Sequence, residues 1–262
     1  MPRHPLFANT KCFILDMDGT FYLGSRMLPG AGDFVRSLAG LGLDYRFFSN
    51  NSSHAAEGCR SKLAGMDFPV DDDRVILSTH VAADHLNTHY PGAGVYMLGN
   101  ANMERELWTA GIRLEREHPD LLLLGFDTTL DYEKIMRAAN LIAEGIPYFA
   151  THPDVNCPVD GGFMPDTGAM IALFETSAKR RPMILGKPER STVEYLCRHL
   201  GLAPEELAFV GDRLETDVAI GVRHGIPAVL CLSGVTTREA LAASAMQPDL
   251  VVAGLGELKA YL

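Results

Sequence analysis

The sequence predicts an α/β fold, a Rossmann-like doubly wound parallel sheet, and three observations carry that expectation. Runs such as Cys12-Phe13-Ile14-Leu15 and Leu207-Ala208-Phe209-Val210 are apolar throughout, as strands covered on both faces are. Most such runs are followed by a turn rich in Gly, Asp, Ser or Asn, and then by apolar residues at helical spacing. Strand and helix alternate in this way along nearly the whole chain, which is how parallel sheets are connected.

In order, the first strand, Cys12 to Leu15, opens into Asp16-Met17-Asp18-Gly19-Thr20. A helix follows between Gly30 and Leu43, with Phe34, Val35, Leu38 and Leu41 at its spacing. Asp44 to Phe48 reads as a short strand that runs into Ser49-Asn50-Asn51-Ser52. From about Ser78 to Pro182 the chain has its own alternation. Strands are expected at Val95 to Leu98, Leu121 to Leu124 and Tyr148 to Thr151, with a helix carrying Ile135, Ala138, Ala139 and Ile142. A glycine- and proline-rich loop, His152 to Thr167, precedes a helix with Met170, Ile171, Phe174 and Ala178. The chain then returns to the first pattern. Strands are expected at Pro182 to Leu185, Leu207 to Val210 and Pro227 to Leu232, with helices around Val193, Leu196 and Leu200 and from Thr216. The middle segment of about a hundred residues is large enough to be a domain. The expected organisation is a discontinuous core, 1–77 with 183–262, and an inserted α/β domain at 78–182.

Composition narrows the function. A formal net charge of −10 over 262 residues argues against a broad nucleic-acid or anionic-membrane surface, either of which wants clustered Lys and Arg. A small anionic ligand held by local donors and a cation is compatible with that charge. The five cysteines contain no Cys-x-x-Cys pair, so a disulfide or zinc framework is not expected. No apolar stretch reaches membrane-spanning length and no signal core is visible, and the expected compartment is the cytoplasm.

The chemistry is concentrated where strands end. Asp16 and Asp18, two apart in extended chain, face one side of the strand end, and two carboxylates so close need a cation between them. One can then be a nucleophile toward phosphorus while the other handles the leaving-group proton. Gly19 permits a tight turn, and Thr20 is expected to bond the neighbouring loop. Ser49 and the N–H groups after it can hold phosphoryl oxygens, and Lys187 in Gly186-Lys187-Pro188 offers a compact positive charge. Asp212, after Gly211, can complete an oxygen-rich cation site, and Asp217, five residues on, stands at the start of the next helix, where it suits a cap. His85 and His89 are spaced i, i+4 but have no third ligand, and read as a surface pair.

Asp-x-Asp, Ser, Lys-Pro and Gly-Asp-x-x-x-x-Asp, in that order, resemble the motifs of the haloacid dehalogenase-like hydrolases. The insertion between the Ser and Lys motifs resembles the type IIA cap of the NagD-like and p-nitrophenyl phosphatase-like members. The resemblance implies a phosphoric monoester hydrolase: a Mg²⁺-dependent phosphatase of small phosphate esters that works through an aspartyl-phosphate. By position it implies Asp16 as nucleophile, Asp18 as acid and base, and Lys187 as a catalytic and phosphate-binding residue with Ser49 and Asn50. The metal would be held by Asp16, the Asp18 main-chain carbonyl, Asp212 and Asp217. His152, Asp154 and Asn156 fall in the segment that sets specificity in such caps, although Asn is common where His152 stands. The implied partner is a small-molecule phosphate ester, and a homo-oligomer through the cap stays open. Two other readings remain at this point: a receiver-like module that takes up phosphate without turnover, and a protein phosphatase of the same fold.

Overall fold

The computed structural model describes residues 3–159 and 161–262, which form two compact units. The first comprises the chain up to Ser49, Cys59–Ile76 and Val193–Leu262; the second comprises Asn50–Gly58 and Leu77–Thr192.

The first unit holds a six-stranded sheet in the order Leu250–Val252, Ala228–Cys231, Leu207–Gly211, Cys12–Leu15, Asp44–Ser49, Val75–Leu77. Cys12–Leu15 pairs in parallel with Leu207–Gly211 on one side and Asp44–Ser49 on the other. The order runs outward in both directions from Cys12–Leu15, the doubly wound arrangement expected from the sequence. The central strands are buried along their length, as their uninterrupted apolar runs require. Phe13 packs between Phe7 and Phe34, with ring centroids at 5.3 and 5.7 Å, and Phe21 meets Phe47 at 4.7 Å. Across the sheet, Leu214, Val218, Ala228 and Leu230 form a second cluster. The edge strands Val75–Leu77 and Leu250–Val252 are three residues each, too short for the sequence pattern to reveal. The helix expected from Thr216 begins with one turn of π-helix, Leu214–Val218, before Ala219–His224.

The second unit has its own sheet, in the order Met183–Ile184, Tyr148–Ala150, Leu121–Leu124, Gly94–Leu98, Arg113–Leu114, parallel throughout. Leu121–Leu124 lies at its centre and is fully buried. On one face Leu122 and Leu124 meet Leu98, Ala138, Leu141, Ile142 and Phe174. Asp131 caps the helix Tyr132–Glu144 by accepting from Lys134 N–H at 2.8 Å, and Gly145, at φ 96°, ends it in the left-handed conformation. The strand expected at 182–185 is present as Met183–Ile184, at the edge of this sheet beside Tyr148–Ala150. The segment expected to be a loop, 152–167, contains an antiparallel hairpin, Asn156–Val159 with Gly162–Pro165. Pro158, Pro165 and two adjacent glycines disguise it, and its second strand is exposed on both faces, so no alternation marks it.

Candidate active site

The cluster in the first unit begins with backbone geometry. Asp16 continues the strand Cys12–Leu15, its N–H bonded to Val210 O at 2.8 Å, and Asp212 follows Gly211 on the adjacent parallel strand. Neighbouring parallel strands bring their carboxyl ends together, so residues nearly 200 apart in sequence become neighbours. Asp217, in the π-turn, closes the group, and one carboxylate oxygen from each of Asp16, Asp212 and Asp217 lies within 4.8 Å of the others. Asp212 and Asp217 are 1% and 2% exposed, far below what carboxylates tolerate without compensation.

Part of the compensation comes from main-chain amides. Val235 N–H donates to Asp212 Oδ2 at 2.6 Å, and Arg213 N–H to Asp217 Oδ2 at 3.1 Å. Glycines make room for it. A Cβ on Gly19 would lie 2.5 Å from Asp212 Oδ2, and one on Gly234 2.5 Å from Asp212 Cγ. Gly19 also sits at φ 84°, so it satisfies both the turn and the close approach. The concentration of negative charge reaches Cys231, whose thiol is pushed up by burial and then by Asp212, Asp217 and Asp16. Three convergent carboxylates in a desolvated setting suit a hard, oxygen-seeking divalent cation.

Asp18 stands apart from the trio, its side chain half exposed. Its Oδ2 accepts from Tyr22 Oη–H at 3.0 Å, and Lys62 Nζ lies 3.5 Å from Oδ1 and 3.8 Å from the centre of the Tyr22 ring. Burial, and next the charge of Asp18, push the Tyr22 hydroxyl up, so it stays protonated and donates. Thr20 differs from expectation: it is fully buried, and its hydroxyl has no hydrogen-bond partner among the described residues. Ser49 ends Asp44–Ser49 at the carboxyl edge of the same sheet. The sequence reading gave no role to Tyr22, Lys62 or the Ser233-Gly234-Val235 turn. For the last, a Ser-Gly pair directly after an apolar strand was the available signal.

The second unit gathers a different set. Lys187 is 2% exposed, not the solvated residue that an isolated Lys suggests. Its N–H donates to Asn50 Oδ1 at 3.0 Å, and its carbonyl accepts from Asn50 Nδ2 at 3.1 Å. Asn50 Nδ2 also donates to Asp154 Oδ2 at 3.1 Å. His152 is completely buried, with Nδ1 3.3 Å from Asp154 Oδ2 and Nε2 3.0 Å from Thr167 Oγ1. Asn156 is half-buried at the start of the hairpin. The paired His85 and His89 rings lie 4.4 Å apart, and no cluster of metal-ligating groups includes them among the described residues. No described helix is long and apolar enough to cross a membrane.

Known proteins resemble this chain in sequence and in fold. Residues 13–113 match the model of the haloacid dehalogenase-like hydrolases, and residues 184–258 match a second, HAD-hydrolase-like model. An acid sugar phosphatase of Staphylococcus aureus is 32% identical over 96% of this chain and 98% of its own. Among solved structures, a 4-nitrophenylphosphatase from Thermotoga maritima is 40% identical, with a TM-score of 0.94 over 98% of this chain and 99% of its own. NagD from Escherichia coli K-12 is 27% identical, with a TM-score of 0.87 over 95% of this chain and 98% of its own. With its motifs in order on the ends of parallel strands and its length matched almost completely, the chain belongs to the haloacid dehalogenase-like hydrolases, in their NagD-like family.

Proposed function

We propose that this protein is a Mg²⁺-dependent phosphatase of small phosphate monoesters that works through an aspartyl-phosphate on Asp16. The observation that carries the reading is the convergence of Asp16, Asp212 and Asp217 within 4.8 Å at the carboxyl ends of adjacent strands. Those three carboxylates, with the Asp18 main-chain carbonyl, are the donors for the cation, Asp217 directly or through a water. When bound, the cation screens the carboxylates from one another and neutralises charge on the transferring phosphoryl group.

The chain's own residues divide the rest. A carboxylate oxygen of Asp16 attacks phosphorus as the ester P–O bond breaks, and Asp18 gives its proton to the departing oxygen. Asp18 then takes a proton from water as that water attacks phosphorus, the P–O bond to Asp16 breaks, and inorganic phosphate leaves. The Tyr22 hydroxyl, 3.0 Å from Asp18 Oδ2, limits the rotamers open to that carboxylate. Ser49 and the main chain after it, with the Lys187 ammonium, bind the transferring oxygens. The segment 78–182 serves as the cap, and specificity among leaving groups belongs to the half-buried and exposed strands of its hairpin, Asn156–Val159 and Gly162–Pro165. The acid sugar phosphatase and 4-nitrophenylphosphatase relatives support phosphate esters as the substrate class.

The test is phosphate release from p-nitrophenyl phosphate, sugar phosphates, nucleoside monophosphates and a phosphopeptide, with Mg²⁺ and with EDTA. Turnover of the small esters that EDTA abolishes is expected. Equal turnover without any divalent cation overturns the reading, and turnover of the phosphopeptide alone turns it to a protein phosphatase.

A further inference from the structure

The side-chain amide of Asn50 is fully committed inside the second unit. Both Nδ2 hydrogens are used, one on Lys187 O and one on Asp154 Oδ2, each at 3.1 Å, while Oδ1 receives Lys187 N–H at 3.0 Å. A primary amide has only two donor hydrogens, so this side chain has none left for a phosphoryl oxygen. It pairs instead with both polar groups of one peptide-linked residue, in the manner of a strand partner. The Asn50 main chain is anchored in turn, its carbonyl accepting from Ser78 Oγ at 2.5 Å.

Asp154 is tied into the same assembly. Its carboxylate meets Asn50 Nδ2 and His152 Nδ1, and its carbonyl accepts from Gly168 N–H at 2.7 Å. A Cβ on Gly168 would lie 2.8 Å from that carbonyl oxygen, and one on Gly186 2.8 Å from Asn50 Oδ1. Both glycines admit approaches that any other residue would block. His152 completes the chain of contacts by reaching Thr167 Oγ1. The Asp154 side chain is only 13% exposed, and that of His152 not at all. Groups so enclosed and so occupied are poorly suited to choosing among leaving groups.

We infer that Asn50 and Asp154 are positioning residues that fix the main chain of Lys187, and that His152 supports Asp154 in that task. This rests on the phosphate-binding role proposed for Lys187. Its consequence is that loss of the Asp154 oxygen that accepts from Asn50 harms every phosphate ester alike, because the misplaced group is one that all substrates share. Displacement of a positioned charge by about 1 Å is enough to cost up to about 100-fold in rate.

The experiment compares Asp154→Ala and Asp154→Asn, each alone and combined with Lys187→Ala. The first is expected to lower kcat/KM by about 30- to 100-fold, by the same factor for p-nitrophenyl phosphate, a sugar phosphate and a nucleoside monophosphate. The second keeps an acceptor for Asn50 and is expected to stay near the wild type. With Lys187 already truncated, Asp154→Ala is expected to add little, since coupled residues do not add. Losses that differ more than about tenfold between esters, or that add fully to Lys187→Ala, overturn the inference. A second arm needs no activity: amide hydrogen exchange at Lys187 is expected to quicken at least about tenfold in Asp154→Ala and to be unchanged in Asp154→Asn. Unaltered exchange in Asp154→Ala overturns the inference, whereas a wild type that hydrolyses none of the esters overturns the proposed function and leaves the exchange arm to decide the coupling.

Discussion

Replacing Gly234 by Ala tests the cation site without removing any of its ligands. Gly234 does not occupy the left-handed region, so its backbone accepts alanine and the effect is steric. The added Cβ would lie 2.5 Å from Asp212 Cγ and 2.7 Å from Asp212 Cβ, and closer still to Oδ2. Ordinary contact begins near 3.4 Å, so the carboxylate must shift by about 1 Å. The bond from Val235 N–H, now 2.6 Å, would lengthen past any hydrogen-bonding distance. Losing a hydrogen bond to a charged group costs about 1.5–3 kcal/mol, which moves the melting temperature down by several degrees in a chain of this size. Cation affinity should fall by about 10- to 100-fold, the usual penalty for disturbing groups that orient a ligand. The assay is turnover of p-nitrophenyl phosphate against free Mg²⁺. Half-saturation is expected to rise by that factor, with kcat recovering to within a few-fold of wild type at saturating cation. A half-saturation unchanged in a variant shown to be folded would refute the assignment of Asp212 as a ligand.

Three further outcomes are expected. Asp16→Asn should lose several powers of ten in kcat with its melting temperature preserved, since an amide cannot be the nucleophile; near-normal turnover rules out the aspartyl-phosphate. Cation should stabilise the protein by about 2.7 kcal/mol at 100 times its Kd, seen as a rise in melting temperature that EDTA reverses, and Asp212→Asn should lose most of that rise. Glu106→Gln tests a half-buried link in the second unit. The hydrogen bond from His80 Nε2, at 2.9 Å, and the Ala56 N–H, against the cost of burial, hold the Glu106 carboxyl below the usual range near 4.5. A lowered folded pKa gives stability that is present above about pH 4.5 and lost as pH falls below it. The variant should therefore be about 1 kcal/mol less stable at pH 7 in urea unfolding, with the gap closing in acid; a gap constant with pH removes the charge from the explanation.

The sequence pattern was most legible where chemistry and periodicity coincide. Asp16 and Asp212 could be placed because each follows an apolar strand, and parallel pairing then leaves little freedom in where their carboxylates meet, whereas Asp217 joins them from the π-helical turn beyond. Four features were illegible, each for its own reason. The edge strands Val75–Leu77 and Leu250–Val252 are too short to show a period. The two-residue strand Met183–Ile184 carries nothing in its side chains to say which sheet it joins. The hairpin at 156–165 lacks a buried face, so composition spoke for a loop. His152, read as a residue facing substrate, is fully enclosed, because burial of a polar residue depends on partners such as Asp154 and Thr167 that only the fold supplies.

The two clusters solve opposite electrostatic problems with the same device. In the first unit, negative charge must be gathered faster than it repels, and amides of Val235 and Arg213 are aimed at Asp212 and Asp217 before any cation arrives. In the second, a Lys that is 2% exposed is anchored through its backbone, where the Asn50 amide grips both its N–H and its carbonyl. In the first case main-chain amides fix the carboxylates, in the second a side-chain amide fixes the main chain that carries the Lys, and in both a glycine clears the space, Gly234 beside Asp212 and Gly186 beside Asn50. Main-chain groups reorganise little during a reaction, so charge placed this way is already oriented for the transition state. It follows that alanine at these glycines should damage function more than its cost in stability alone accounts for, a disproportion that substitutions on the outer helices should not show.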